Sequence, residues 1–134
     1  MRRITISVEE ALADAFDQLI AVKAYGNRSE AFRDLVRKAL DEAVTENAHQ
    51  TQTDCVASLS YVYNHHERQL ASRVNQLQHD HHQLIITAQH VHLDHDHCME
   101  TVILRGRIAE VEACVNAISS QTGVTHAKVH VIPR

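Results

Sequence analysis

The chain has 134 residues, of which 44% are hydrophobic, and it carries a formal net charge of −4 at pH 7. This length suits one ordinary domain or two small domains that need oligomerisation, and the negative charge means that a nucleic-acid partner must be held by a local basic patch. Three widely spaced cysteines, no recognisable signal peptide and no apolar run of about 20 residues argue against a disulfide framework and a membrane span, so we expect a soluble cytoplasmic protein.

A short strand is predicted at the N-terminus. Ile4 and Ile6 lie on one of its faces, and the opposite face carries Arg3, Thr5 and Ser7. A lone strand leaves its backbone edges unpaired, so we expect it to pair with a second copy in an antiparallel ribbon. Such a ribbon fits the DNA major groove, where arginine and hydroxyl side chains read base edges. A dimerisation module with polar surface residues is the alternative.

Two amphipathic helices are predicted after the strand. Ser7-Val8-Glu9-Glu10 has the spacing of a capping box for the first helix, which is predicted to stop at Tyr25-Gly26-Asn27. Asn27-Arg28-Ser29-Glu30 opens the second helix by the same chemistry. Residues 1–44 therefore form one predicted domain. The polar residues 45–53 lack apolar periodicity and are predicted to be a linker, in which His49 has no predicted role.

From residue 54 the pattern predicts the order strand, helix, strand, strand, helix, strand. The strands are predicted near Cys55–Tyr63, Leu84–His92, Cys98–Leu104 and Val124–Ile132, with helices between the first two and the last two. This is the ferredoxin-like βαββαβ order. We therefore expect an α+β protein whose second domain spans residues 54–134.

Histidines and a cysteine are concentrated around the second and third strands of this domain. His90 and His92 project from one face of a strand, and Cys98 returns towards them along a hairpin. His79 lies roughly 200° around its helix from the apolar Leu77 and faces away from its own core, which suits a ligand for another subunit. Three nitrogens and one sulfur fit Zn(II), Cu(II) or Ni(II) by ligand type.

The chain resembles a known family in both parts. Arg-x-Thr-x-Ser, an amphipathic helix and Gly26-Asn27-Arg28-Ser29-Glu30 resemble the ribbon-helix-helix repressors. The second domain resembles the regulatory domain of the nickel-responsive transcriptional repressors, an ACT-type domain, in Leu59-Ser60-Tyr61-Val62-Tyr63, Leu70-Ala71-Ser72-Arg73, Gln78-His79 and His90-Val91-His92 followed by Cys98. Together the two parts match that family over nearly the whole chain.

The resemblance implies a Ni(II)-dependent repressor of nickel-uptake genes. It implies square-planar Ni(II) held by His90, His92 and Cys98 of one subunit and His79 of another. It also implies a homotetramer, as a dimer of dimers, on a double-stranded DNA operator with palindromic half-sites. The further site residues that it implies are Tyr63 and Glu100 around the metal ligands, Asn27, Arg28 and Ser29 on a DNA phosphate, and Glu30 with Asp34 at a secondary cation site.

Other functions remain open on the residues alone. A histidine-rich metal-storage or metallochaperone protein leaves the N-terminal ribbon unexplained. An amino-acid-responsive regulator leaves the four predicted ligands unexplained. A regulator that answers to Cu(II) or Zn(II) is a further alternative, because copper binds such sites more tightly than nickel. An enzyme is not expected, because four protein ligands leave no open coordination position and no catalytic residues are predicted.

Overall fold

The computed structural model describes residues 1–134, which divide into two compact units, Met1–Ala43 and Val44–Arg134. The elements are α1 (Glu10–Lys23), α2 (Arg28–Thr51), β1 (Asp54–Asn64), α3 (Arg68–Asp80), β2 (Ile85–His92), β3 (His97–Arg107), α4 (Ile108–Ser119) and β4 (Thr125–Pro133). None of the helices is long and apolar enough to cross a lipid bilayer.

The turn between α1 and α2 is built from helix-capping interactions. Helix α1 closes at Ala24, which takes the left-handed conformation with φ of 56°. Helix α2 begins as the sequence predicts, because the Asn27 side-chain oxygen accepts a hydrogen bond from the Glu30 backbone N–H at 2.9 Å. The Glu30 carboxylate in turn accepts the backbone N–H of Gly26 at 3.1 Å. These bonds satisfy N–H groups that a helix start leaves without partners.

The N-terminal strand predicted at residues 1–7 is not formed in the single chain. Residues 1–9 belong to no helix or strand, and Ile4 and Ile6 are 67% and 60% exposed. Strand hydrogen bonds require a partner strand, and the first unit contains none. The capping box predicted at Ser7 is also wrong, because α1 begins at Glu10 behind Glu9, whose side chain makes no capping hydrogen bond.

The segment predicted as a linker, residues 45–53, is helical rather than irregular over most of its length, because α2 continues to Thr51. Ala48 is 3% exposed and belongs to the core of the second unit. His49 donates from Nδ1 to the backbone carbonyl of Thr45 at 2.8 Å, and its Nε2 pairs with Glu112 of α4. Tertiary contacts therefore order a segment that has no apolar periodicity, and His49 has a partner that the sequence did not reveal.

The His49–Glu112 pair is expected to make stability depend on pH. The Thr45 carbonyl and then the Glu112 carboxylate hold the pKa of His49 above its usual value. The pair therefore stabilises the fold fully below about pH 6.5, and the contribution disappears as the pH rises through the raised pKa. His49→Gln should lower the melting temperature of the metal-free protein at about pH 5.5 and leave it nearly unchanged at about pH 8.5. The shift should be modest, because solvent screens a pair this exposed.

The matched control for this prediction is His130→Gln, which removes an exposed histidine from β4. Its melting temperature should follow that of the original chain at both pH values. A melting-temperature loss in His49→Gln that is equal at the two pH values would show that the pair contributes no pH-dependent stability.

The second unit contains an antiparallel sheet with strand order β2-β3-β1-β4. Alternate residues of β1, from Cys55 to Tyr63, and of β3, from Cys98 to Leu104, are buried. On that face α3 contributes Leu70 and Val74 to the core, and α4 contributes its apolar side. The residues of β1 on the opposite face are only half-buried. The sheet order and helix placement confirm the predicted ferredoxin-like fold.

Candidate metal centre

Three of the four predicted metal ligands, His90, His92 and Cys98, lie in two rows that cross three adjacent strands. Tyr63 of β1 is opposite Cys98 of β3, which is opposite His92 of β2. The next row contains Tyr61, Glu100 and His90. Residues directly opposite each other in antiparallel strands point to the same face. The hairpin therefore places the thiol of Cys98 on the same face as both imidazoles, as the sequence predicted.

Both residues that were predicted to surround the metal ligands, Tyr63 and Glu100, contact His90. Its Nδ1 lies 2.6 Å from a carboxylate oxygen of Glu100, and its Nε2 lies 3.2 Å from the hydroxyl of Tyr63. A histidine that binds a metal through one nitrogen needs a partner on the other nitrogen to fix its ring. To ligate a metal, His90 must exchange one of these two partners and can keep the other.

Glu100 is the buried polar residue of the site. It accepts hydrogen bonds from the hydroxyl of Tyr61 and from the side-chain amide of Gln78 on α3. Gln78 also donates to the Tyr61 hydroxyl at 2.9 Å. Burial raises the pKa of Tyr61, so its hydroxyl remains a donor at neutral pH. The sequence analysis missed Tyr61 and Gln78 as partners of Glu100. Tyr61 could have been found, because it lies two residues before Tyr63 in β1 and therefore points to the same face of the sheet.

The thiol of Cys98 is fully buried. Its Sγ lies 3.7 Å from the backbone carbonyl of Tyr63, to which it donates, and burial raises the pKa of the thiol. A thiolate in this position requires a positive partner. One sulfur and the two imidazoles on the same face of the sheet are a donor set whose chemistry suits a late transition-metal ion such as Ni(II), so the residues present fit the predicted metal.

A single chain does not bring all four predicted ligands together. His79 is exposed on α3, and the centre of its ring lies 6.0 Å from that of His82. Beside His90 and Glu100 a cavity of about 430 Å³ is open, lined also by Tyr63 and Gln78. His79 does not line this cavity.

The predicted DNA-contact residues lie in the first unit. Arg3, Thr5 and Ser7 are exposed. The guanidinium of Arg28 forms a two-pronged ion pair with Asp17, with Nε–Oδ1 and Nη2–Oδ2 distances of 2.7 and 2.6 Å. The sequence did not predict this pair. Arg28 is therefore oriented at the start of α2 by a carboxylate with which a DNA phosphate would have to compete.

The two carboxylates of the predicted secondary cation site already have partners. Asp34 accepts a hydrogen bond from the hydroxyl of Tyr25 and lies 3.0 Å from the Lys38 ammonium. The Tyr25 hydrogen bond, followed by that of Lys38, holds the pKa of Asp34 below its usual value. Glu30 caps the turn at Gly26. A bound cation would have to share Asp34 with Lys38.

Comparison with known proteins identifies two matching families. Residues 56–132 match the model described as NikR C terminal nickel binding domain, and residues 2–43 match that of the ribbon-helix-helix proteins of the copG family. Proteins named nickel-responsive regulator from Brucella abortus biovar 1 and Brucella suis biovar 1 are each 41% identical over 133 residues, covering 99% of this chain and 99% of the relative.

A solved structure of an uncharacterized protein from Thermotoga maritima shares the fold alone. It is 16% identical, has a TM-score of 0.50, and covers 60% of this chain and 96% of its own.

Proposed function

Because this chain belongs to the family of nickel-responsive ribbon-helix-helix transcriptional regulators, we propose that it is a Ni(II)-dependent repressor of nickel-uptake genes. It is a DNA-binding regulator rather than an enzyme, and its metal is Ni(II). Because operator DNA is its partner, we place its action in the bacterial cytoplasm. The observation that carries the proposal is the strand register that sets Cys98 beside His92 and Glu100 beside His90.

The nickel site that we propose takes ligands from two chains. His90, His92 and Cys98 of one chain would bind Ni(II) together with His79 of another. Two features support this arrangement: His79 is exposed, and the cavity beside His90 offers room for a side chain from outside. Bound Ni(II) would supply a cross-link between subunits. Tyr63 and Glu100 would orient His90 through their hydrogen bonds.

The DNA-binding part that we propose is a dimer of the first unit, with residues 1–44 as its domain. Several large apolar residues of this unit are uncovered in one chain: Leu12 of α1 is 55% exposed, and Leu40 of α2 is 60% exposed. A second copy would cover these side chains and pair the two N-terminal segments into the ribbon. Arg3, Thr5 and Ser7 would then reach base edges in the major groove. The N-terminus of α2, at Asn27, Arg28 and Ser29, would hold a phosphate.

A homotetramer on palindromic half-sites is the assembly that we propose, with residues 54–134 as the tetramerisation domain. The face of the sheet opposite α3 and α4 is only half-buried in one chain, as the alternate residues of β1 show, and β2 and β4 are open edges. Both features are typical of a sheet that another copy covers. A tetramer would carry two ribbons, which matches the two-fold symmetry of a palindromic operator.

DNA-binding measurements with and without Ni(II) test this function. An operator is first selected from a random DNA library in the presence of Ni(II), and binding is followed by fluorescence anisotropy. The original chain should bind this operator about 5–150-fold more tightly with Ni(II). Arg3→Ala and Thr5→Ala should each weaken operator binding by about 1–3 kcal/mol, because each removes a base contact, and should leave nickel affinity unchanged.

Arg28→Ala is the matched phosphate-contact variant. It should weaken binding to operator and random DNA alike and reduce the dependence of affinity on salt. If Arg3→Ala lowers affinity for operator and random DNA equally, the residue does not read bases. If Ni(II) leaves operator affinity unchanged, the chain is not a nickel-dependent repressor.

A further inference from the structure

One ion pair joins the two helices of the first unit at the place where DNA is proposed to bind. Arg28 is the first residue of α2, and Asp17 lies in α1. The Arg28 Nε lies 2.7 Å from one carboxylate oxygen of Asp17, and the Arg28 Nη2 lies 2.6 Å from the other. The two side chains are 68% and 47% exposed. Because the pair is open to solvent, another anion can reach the guanidinium and exchange with the carboxylate.

The Asp17 carboxylate takes the position that a phosphate group would take on this guanidinium. The Nε and Nη2 hydrogens of an arginine form a fork that fits two oxygens of either a carboxylate or a phosphate. Asp17 engages both donors of that fork. A phosphate at the same edge must therefore displace the carboxylate. A phosphate at the other edge meets a guanidinium whose charge is already balanced.

A second carboxylate lies at the start of α2. Glu30 accepts the backbone N–H of Gly26 at 3.1 Å, and its own backbone N–H donates to the Asn27 side chain at 2.9 Å. With Asp17 and Arg28, this end of the helix carries one positive and two negative side-chain charges. It therefore attracts a phosphate less strongly than a helix start with an unpaired arginine would.

We propose that Asp17 is an internal competitor of DNA phosphates for Arg28, and that it limits binding to DNA of every sequence. The inference rests on the DNA-binding function proposed above. Breaking the pair subtracts from the free energy that the phosphate contact releases, whatever the bases are. DNA that offers phosphate contacts alone is then bound weakly. A site that also engages Arg3 and Thr5 keeps its affinity through base contacts.

The same exchange of partners affects how DNA binding depends on salt. Each phosphate that a protein neutralises contributes about −0.9 to the slope of log affinity against log salt, because counterions leave the DNA. When Arg28 leaves Asp17 for a phosphate, the carboxylate that remains beside the DNA offsets part of this neutralisation. The contact should therefore contribute less than the full value. Removal of the Asp17 charge should restore it.

Asp17→Asn tests this inference, because it removes the charge and keeps the shape of the side chain. Fluorescence anisotropy follows binding of the full chain to random duplex DNA at several salt concentrations, without Ni(II). At about 0.1 M salt, affinity should rise about 1.5–5-fold for each Arg28 that contacts DNA, as expected for an exposed ion pair. The salt slope should become more negative by up to about 0.9 per contact. Asp17→Ser should show the same gain, and Asp17→Glu, which keeps the charge, should not.

Two controls separate competition at Arg28 from a change in net charge. Asp14→Asn removes an exposed carboxylate one turn earlier in α1, and it should raise affinity less than Asp17→Asn does. In an Arg28→Ala background, Asp17→Asn should lose most of its effect, because the competitor then has nothing to compete for. Circular dichroism establishes that each variant folds. The inference is overturned if Asp14→Asn matches the gain, or if the gain persists without Arg28.

Failure of this inference can be distinguished from failure of the proposed function. If the original chain binds its operator with Ni(II) but neither folded Asp17→Asn nor folded Asp17→Ser binds random DNA more tightly, the inference alone is wrong. If neither the original chain nor these variants bind any DNA at low salt, both are wrong. If Asp17→Asn shows the gain but Ni(II) leaves operator affinity unchanged, the inference stands and the nickel-dependent function fails.

Discussion

Cys98→Ala is expected to abolish two properties together, the sulfur-to-metal absorption that appears on adding Ni(II) and the nickel-dependent gain in operator affinity. Cys98 is the sulfur that the strand register places directly beside His92. Without it, the donor set contains nitrogen and oxygen only, and the charge-transfer band has no source. The gain in DNA affinity should fall from about 5–150-fold to none. Ultraviolet–visible titration and fluorescence anisotropy measure the two properties.

Cys114→Ala is the control for this variant. Cys114 is also a fully buried, unpaired cysteine, but it lies in α4. Its replacement should leave the band and the nickel response intact, with at most a small loss of stability from the cavity. Circular dichroism melting establishes that both variants fold. If folded Cys98→Ala protein still shows nickel-responsive DNA binding, Cys98 is not a ligand of the regulatory metal.

Mixing two defective variants is expected to restore metal binding. A His79→Ala chain and a Cys98→Ala chain should each lack the full absorption band alone. In a mixed oligomer, the intact His79 of one chain meets the intact His90, His92 and Cys98 of the other at some interfaces. Those interfaces should recover the band. The expectation rests on two observations: His79 is exposed, and it does not line the cavity beside His90.

Subunit exchange must be demonstrated in the same samples, by energy transfer between chains that carry different fluorescent labels. His82→Ala serves as the control for His79→Ala, because His82 lies beside His79 and is also exposed. His82→Ala chains should show the full band without a partner variant. Mixtures that exchange subunits and recover no band would mean that all ligands come from one chain, and that metal binding does not link the subunits.

The fold of the second unit could be predicted from periodicity, whereas the periodicity of the N-terminal half gave two predictions that the single chain does not match. The alternation from Cys55 to Tyr63 and the helical spacing of Leu70 and Val74 depend on burial in one shared core, and the structure has both. The continuation of α2 to Thr51 depends instead on Ala48 and His49 contacting residues that are distant in sequence. The N-terminal strand depends on a partner that one chain does not contain.

The same distinction applies to the metal centre. The sequence could predict that His90, His92 and Cys98 share one face of the sheet, because two strands joined by a short loop have few possible registers. The hydrogen bonds of Gln78 to Glu100 and Tyr61 could not, because they depend on how α3 lies across the sheet. The pairing of Arg28 with Asp17 is likewise a contact between side chains of different helices, and no local pattern indicates it.

Helix α1 buries none of its residues in a single chain. With the dimer proposed above, the lifetime of the protein would therefore depend on its copy number. A DNA-binding unit that gains its core by association is folded only in proportion to the concentration of its partner. Under the proposed dimerisation, newly made chains without a partner would present uncovered helices to cellular proteases and would be degraded. Assembled chains would be protected from this degradation. The cell would thereby keep intact regulators and clear solitary ones, without any dedicated signal for degradation.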